Sequence, residues 1–154
     1  MPVNAVPTGY HAITPYLIVH GAADAIAWYC KVLGGKEIMR LPGPGGRVGH
    51  AEIQIGGSRI MLADDDPERD IKAPGAFGGS PVSLVVYLPD VDTVVTGAAA
   101  AGATVQSPPA DKFYGDRMAS LADPFGHTWH IATHIEDVSE EELRRRLEAM
   151  TRQV

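Results

Sequence analysis

The sequence predicts an α+β fold made of two consecutive βαβββ units followed by a C-terminal helix. Three observations predict it: a helical pattern follows each opening β-rich segment, three extended segments follow each helical pattern, and this order occurs twice. Aligning Thr14 with Ser83 places Gly21 beside Asp90. Because each unit offers a sheet covered on one face only, the two sheets are expected to pair.

The length of 154 residues suits one domain. We expect an N-terminal arm over residues 1–11 and a domain over 12–138, with its first unit at 12–66 and its second at 81–134. Residues 139–154 are expected to form the separate C-terminal helix.

The first unit opens with residues 12–20, which are rich in β-forming types, and continues into a helix. Apolar residues recur on one face of this helix: Ile26, Tyr29, Cys30 and Leu33. Three strands follow, at 36–41, 50–55 and 58–64, and glycine-rich turns join them. Cys30 is predicted to be buried. The acidic run Asp64–Asp66 lacks the spacing of a calcium loop, so we interpret it as a solvated loop.

The second unit repeats this order. A strand at 81–88 precedes a helix at 90–102, whose inner face carries Val91, Val94, Val95 and Ala98. A short strand at 103–106 leads into a predicted loop at 107–116, which we expect Arg117 to fix by pairing with Asp116. The last two strands form a hairpin across Asp123–Gly126, where Pro at the second position and Gly at the fourth favour a type I turn.

The tail is predicted to be a helix that begins after Ser139, because Ser139 and Glu142 make a capping box. Acidic residues occupy its first turn and arginines follow, which suits the helix dipole. Its narrow apolar stripe consists of Leu143, Leu147 and Met150. Such a stripe predicts a packed terminal element or a dimer contact in preference to a membrane-surface helix.

Composition and charge argue against several classes of function. Thirteen Lys+Arg against 19 Asp+Glu give a formal net charge of −6, so nucleic-acid binding is not expected. Every apolar stretch is shorter than the ~20 residues that cross a bilayer, so no membrane association is expected. Cys30 is the single cysteine, and the N-terminus lacks the pattern of a secretory signal, so the protein is expected in the cytoplasm.

Side chains alternate between the two faces of a strand, which separates helix-covered positions from cavity-facing ones. On the strand 50–55, the apolar residues at 51, 53 and 55 are expected beneath the helix, so His50, Glu52 and Gln54 face the opposite way. The same rule assigns Thr14, Tyr16, Ile18, Ser83, Val85, Tyr87 and His130 to that opposite face. We therefore predict a ligand-binding cavity between the sheets, lined by Tyr16, His50, Glu52, Tyr87 and His130, with Tyr114 at its edge.

Three segments, AIAWYCKVLGGKEI, HAEIQIGGSRIMLADD and DKFYGDRMASLADPFGHTWHIATHIEDVS, resemble the vicinal oxygen chelate superfamily of glyoxalase I, bleomycin-resistance proteins and extradiol dioxygenases. Around FYGDR and DPFGHTWHIATH the chain looks most similar to the PhnB-like branch. The resemblance covers residues 12–139 and implies the glyoxalase/bleomycin-resistance fold, in which curved mixed sheets form a cup. It also implies a homodimer, because in several relatives the cup is completed across chains, and unpaired sheet edges favour the same assembly.

In the metal-dependent members, four ligands project into that cup, and the resemblance carries these positions to Thr14, Met61, Ser83 and His130. Only His130 is a good ligand, whereas a zinc or iron site needs about three N, O or S donors. No cofactor is therefore predicted, with a divalent metal at His50, Glu52 and His130 as the alternative. His134 shares a strand face with His130 but would stand ~13 Å away, too far to hold the same ion.

Two classes of function follow. The first is a small-molecule-binding protein like the bleomycin-resistance proteins, to which no catalytic residue is assigned. Glu52 and the net charge of −6 favour a cationic or hydrogen-bond-donating ligand, and Arg117 leaves an anionic group open. The second is a metal-dependent lyase, isomerase or dioxygenase, which requires His50, Glu52 and His130 to converge on one ion. The shortage of metal donors favours the first class.

Overall fold

A computed structural model of the chain describes residues 2–154 and contains the tandem order predicted from the sequence. In chain order the elements are β1 (Tyr16–Val19), α1 (Ala22–Leu33), β2 (Lys36–Pro42), β3 (Val48–Ile55), β4 (Ser58–Asp64), β5 (Ser83–Tyr87), α2 (Val91–Ala100), β6 (Thr104–Asp111), β7 (Asp116–Ala122), β8 (Thr128–His134) and α3 (Glu140–Thr151). The α+β class, the two βαβββ units and the C-terminal helix are thus confirmed. Among the described residues, no helix is long and apolar enough to span a bilayer.

Each βαβββ set forms its own four-stranded mixed sheet. The first sheet has the order β1-β4-β3-β2 and the second has the order β5-β8-β7-β6. In both, the opening strand pairs in parallel with the closing strand, and the other pairs are antiparallel. The chain divides into two compact units. The first consists of the residues up to Val82 together with Asp123–His127, and the second consists of Ser83–Ala122 and Thr128–Val154.

In the first unit, α1 packs against all four strands of the first sheet. Its buried stripe is Ala22, Ala25, Ile26, Tyr29 and Leu33, at the i, i+3, i+4, i+7 and i+11 spacing of one helix face. Cys30 lies at the border of this stripe and is half-buried, so the prediction that it is buried is wrong.

The start of α1 is capped from a distant strand. Gly21 adopts φ +89° and offers no side chain, so the cap comes from Asp64 at the end of β4. One oxygen of the Asp64 carboxylate accepts from Gly21 N at 3.0 Å and Ala22 N at 2.7 Å, and the other accepts from Val48 N at 2.7 Å. Asp66 forms a β-bridge with Ile71. The interpretation of this acidic run as a solvated loop is therefore wrong for Asp64, which ends β4 and caps α1, whereas Asp66 closes the loop that follows.

In the second unit, α2 packs on β6, β7 and β8 and begins at the N-cap Asp90, whose carboxylate accepts from Thr93 N at 3.2 Å. Arg117 does not pair with Asp116 as predicted. Successive residues of a strand point to opposite faces, so the Arg117 guanidinium instead reaches Asp92 at 2.7 Å and Asp111 at 2.9 Å.

Two strands differ in length from their predictions. β1 begins at Tyr16, because Pro15 has no N–H to donate; the Pro15 carbonyl accepts the first bond, from Met61 N at 2.9 Å. Thr14 therefore lies outside the strand. β6 extends to Asp111 through part of the predicted loop, with irregular register between Val105 and Ala110. Prolines are tolerated there because β6 is an edge strand.

The C-terminal helix α3 begins as predicted, with the Ser139 hydroxyl accepting from Glu142 N at 3.2 Å. Arg146 ties α3 to the second unit, because its guanidinium donates to Glu136 at 2.6 Å and to the Phe113 carbonyl at 3.0 Å. Leu147 and Met150 are each 52% exposed, so most of the predicted apolar stripe is uncovered in the single chain.

Candidate functional site

The first unit presents a polar face, which we define by Tyr16, His50 and Glu52, on the side of the first sheet away from α1. The burial of β3 alternates as predicted: Ala51, Ile53 and Ile55 are buried, whereas His50, Glu52 and Gln54 are half-buried. Tyr16 on β1 is 48% exposed. The strand alternation therefore brings aromatic, imidazole and carboxylate groups to one face.

The polar face is organised by a chain of hydrogen bonds. The Nε2 of His50 lies 3.1 Å from one carboxylate oxygen of Glu52, and its Nδ1 lies 2.9 Å from the Tyr16 hydroxyl. An ionised carboxylate only accepts, so Nε2 carries the proton, and in neutral His50 the Nδ1 accepts from Tyr16. The rings of Tyr16 and His50 also lie 5.5 Å apart between centroids. Glu52 thus orients His50, and His50 orients the Tyr16 hydroxyl.

Tyr10 of the N-terminal arm belongs to the same network, although the sequence analysis assigned it no role. Its hydroxyl donates to the second oxygen of Glu52, and the Arg59 guanidinium lies 4.7 Å from the centroid of its ring. The hydrogen bond from Tyr10 is the main cause that lowers the pKa of Glu52, and His50 adds to it. Burial and the hydrogen bond to Glu52 raise the pKa of Tyr10. Glu52 is therefore ionised at neutral pH.

The other three predicted site residues, Tyr87, Tyr114 and His130, belong to the second unit. His130 lies 3.1 Å from the Ser83 hydroxyl and 2.7 Å from the Ser120 hydroxyl. Tyr87 and Tyr114 each have a partner of their own, and the Tyr114 hydroxyl lies 3.3 Å from the Met118 sulfur. The structure thus joins Tyr16, His50 and Glu52 in one network and gives the other three separate partners. That all six line one cavity stays a prediction.

A second polar cluster of the second unit was not predicted. Asp116, only 5% exposed, accepts from the Tyr87 hydroxyl at 2.8 Å and contacts His134 Nδ1 at 2.7 Å. The other nitrogen of His134 contacts Asp137 at 2.8 Å. Burial opposes ionisation of Asp116, but the bonds from His134 and Tyr87 outweigh it and hold its pKa below the ordinary value. The hydrogen bonds to Asp116 and Asp137 raise the pKa of His134.

This cluster makes stability depend on pH. The folded-state pKa of His134 lies above its ordinary value of 6.5. The protonated ring therefore contributes fully to the free energy of unfolding below pH 6.5, and this contribution is lost as pH rises through the raised pKa. We expect His134→Gln to lower the free energy of unfolding more at about pH 5.5 than at about pH 9, measured by urea denaturation. The exposed His11 supplies the control His11→Gln. An equal loss at both pH values for His134→Gln would contradict the assignment.

Among residues 2–154, no group of three or more His, Cys, Asp or Glu side chains is placed to hold one ion. Of the positions that the family resemblance indicated, Ser83 and His130 meet at 3.1 Å, whereas Met61 pairs with Tyr16 across β1 and β4 and offers only a thioether.

Comparison with known proteins identifies the family. The family model described as "Glyoxalase/Bleomycin resistance protein/Dioxygenase superfamily" matches residues 10–131. The uncharacterized protein Mb0911c of Mycobacterium bovis is 37% identical over 147 residues, which cover 94% of each chain.

The fold is also similar to that of solved structures, including TioX and a PhnB protein. TioX from Micromonospora sp. ML1 has a TM-score of 0.62 at 25% identity, covering 84% of this chain and 100% of that one. A PhnB protein from Bacillus cereus has a TM-score of 0.63 at 19% identity, covering 80% of this chain and 99% of that one. With two βαβββ units and a family match over most of its length, this chain belongs to the glyoxalase/bleomycin resistance protein/dioxygenase superfamily.

Proposed function

We propose that this protein binds a small molecule on the polar face of the first sheet, without a resident metal. The observation that carries the proposal is the hydrogen-bonded chain from Tyr16 through His50 to Glu52. Each of these side chains is held by its neighbour, so a ligand would meet groups that are already oriented. A PhnB-like binding protein is the function that this arrangement supports best.

The proposed ligand combines a planar apolar part with a cation or a hydrogen-bond donor. Glu52 is ionised, and each of its oxygens accepts one protein donor, which leaves further acceptor capacity on both. The half-exposed Tyr16 ring offers a surface for stacking. A planar cation would use both features.

The test is an NMR titration of amide signals with two matched probes, 2-naphthylmethylammonium and 2-naphthoate. We expect the cation to shift the signals of His50 and Glu52 and to bind more tightly there than the anion. Glu52→Gln is expected to weaken the cation about tenfold, because it removes a charge-assisted hydrogen bond. Glu37→Gln is the control, since Glu37 is an equally charged residue of the same sheet that pairs with Arg40 at 2.9 Å. Equal affinity for both probes, or equal loss in both variants, would contradict the proposal.

We also propose a cytoplasmic homodimer, with the uncovered stripe of α3 contributing to the contact. Native mass spectrometry of protein purified without added metal is expected to give twice the 16.4 kDa chain mass, with no stoichiometric ion. A spectrum with only the monomer at micromolar concentration would contradict the dimer. One zinc, nickel, manganese or iron ion per chain, lost in His130→Ala, would instead support a metal-dependent lyase, isomerase or dioxygenase.

A further inference from the structure

We propose that the compact unit made of the residues up to Val82 and of Asp123–His127 carries a second small-molecule site, specific for aromatic carboxylates. The site is a groove of about 630 Å³, which we call the linker groove. It lies between the end of β1, the segment after β4 and the β7–β8 turn, and its principal lining residues are His20, Asp65, Pro67, Lys72, Gly75 and Phe125. None of these residues belongs to the polar face, so the linker groove is a separate surface.

The walls of the linker groove are fixed by backbone hydrogen bonds. Pro67 lies in a loop closed by the bridge between Asp66 and Ile71, with N–O distances of 2.8 and 3.0 Å. The next wall is the 3₁₀ helix Pro74–Phe77, and Gly79 N, just beyond the end of this helix, donates to Pro74 O at 2.9 Å. Walls held in this way need little ordering when a ligand binds.

The third wall is the turn that carries Phe125. The backbone N of Phe125 donates to the Asp123 carboxylate at 2.9 Å. The centroids of the Phe125 and Tyr29 rings lie 6.1 Å apart, in an edge-to-face arrangement. At Gly126 an added Cβ would stand 3.0 Å from the Pro74 side chain, so this turn packs closely on the 3₁₀ helix. Phe125 is thus a fixed aromatic surface in the groove.

The chemistry of the lining indicates the ligand class. Apart from three polar side chains, the lining consists of proline, alanine, glycine and phenylalanine. A concave apolar surface with a few polar groups is typical of small-molecule sites, and a fixed phenyl ring favours a planar aromatic partner.

Among the polar groups of the groove, Lys72 is the one that can receive an anion. Both oxygens of Asp65 lie within 3.2 Å of His20 Nδ1, and the Asp65 side chain is only 18% exposed. The Lys72 ammonium donates to Asp70 at 2.6 Å, is 41% exposed, and has two further N–H donors. Lys72 is therefore a lining group that can still donate charge-assisted hydrogen bonds, and we assign it as the partner of a carboxylate.

The glycines of the chain allow a matched pair of variants. An added Cβ at Gly75 would meet no atom within 4 Å, so Gly75→Trp fills the groove without a clash at Cβ. Gly57, in the β3–β4 turn, is equally open and lies outside the groove, so Gly57→Trp is the control. Lys72→Gln removes the charge of an exposed side chain, and the ion pair that is lost with the exposed Asp70 contributes little to stability.

The experiment follows the amide signals of Ala73, Gly75 and Phe125 by NMR during titration with 2-naphthoate and 2-naphthylmethylammonium. We expect 2-naphthoate to shift these signals and to bind there more tightly than the cation, the reverse of the order expected on the polar face. Gly75→Trp should abolish this binding, Lys72→Gln should weaken it about fivefold to tenfold, and Gly57→Trp should leave it unchanged.

Three outcomes would overturn the proposal: no shift of these signals up to about 1 mM 2-naphthoate, unchanged affinity in Lys72→Gln, or tighter binding of the cation. Because His50 and Glu52 report on the polar face in the same spectra, failure of the linker groove and failure of the proposed function are read separately.

Discussion

Replacement of Asp123 by alanine is expected to lower the free energy of unfolding by about 3–4 kcal/mol. Asp123 is only 5% exposed. One of its oxygens accepts from the Tyr29 hydroxyl at 2.6 Å, and the other accepts from Phe125 N at 2.9 Å and His127 N at 3.0 Å. The alanine variant leaves these donors without their acceptor. Urea denaturation followed by circular dichroism measures the loss.

Two further variants separate the contributions of the individual hydrogen bonds to this loss of stability. Tyr29→Phe removes one donor and leaves both backbone donors satisfied, so we expect a loss of about 1 kcal/mol. Asp123→Asn keeps one carbonyl acceptor and is expected to fall between the two. If Asp123→Ala cost no more than Tyr29→Phe, the backbone bonds of the turn would contribute nothing, and the interpretation would be wrong.

The features that the sequence analysis predicted correctly are those encoded over short stretches. The alternation of β3 and the capping box at Ser139 involve residues within a few positions of one another. The turn at Asp123–Gly126 is equally local and forms the expected bond from Gly126 N to Asp123 O at 3.2 Å. Each signal could be evaluated without knowledge of the partner element.

The features that the sequence analysis missed depend on partners far away along the chain. Tyr10 and Glu52 are 42 positions apart, and Tyr29 and Asp123 are 94 positions apart. Turn chemistry identifies Asp123 as a turn residue, but nothing local indicates that its carboxylate is also the acceptor for a buried tyrosine. Hydrophobic periodicity could not identify Tyr10 of the N-terminal arm either, because no strand or helix contains this residue.

Asp64 is the most consequential of these distant partners for the candidate site. Its carboxylate accepts from Gly21 N and Ala22 N at the start of α1 and from Val48 N at the start of β3. β3 carries His50 and Glu52 two and four residues further along. One side chain thus fixes both the helix that covers the sheet and the strand that supplies the polar face.

Asp64→Ala is therefore expected to lower the free energy of unfolding by about 2–3 kcal/mol, since it removes a helix cap and leaves a third backbone donor unpaired. The matched control is Asp65→Ala: the neighbouring carboxylate contacts the exposed His20 ring, and its loss should lower the free energy of unfolding by under about 1 kcal/mol.

Because the start of β3 loses its anchor, Asp64→Ala should also weaken the binding of 2-naphthylmethylammonium at His50 and Glu52, whereas Asp65→Ala should not. Equal destabilisation by the two variants would show that the Asp64 carboxylate is not the structural cap described here. Loss of stability without loss of binding would show that the polar face is positioned by the ladder to β4 alone, in which Glu52 lies opposite Met61.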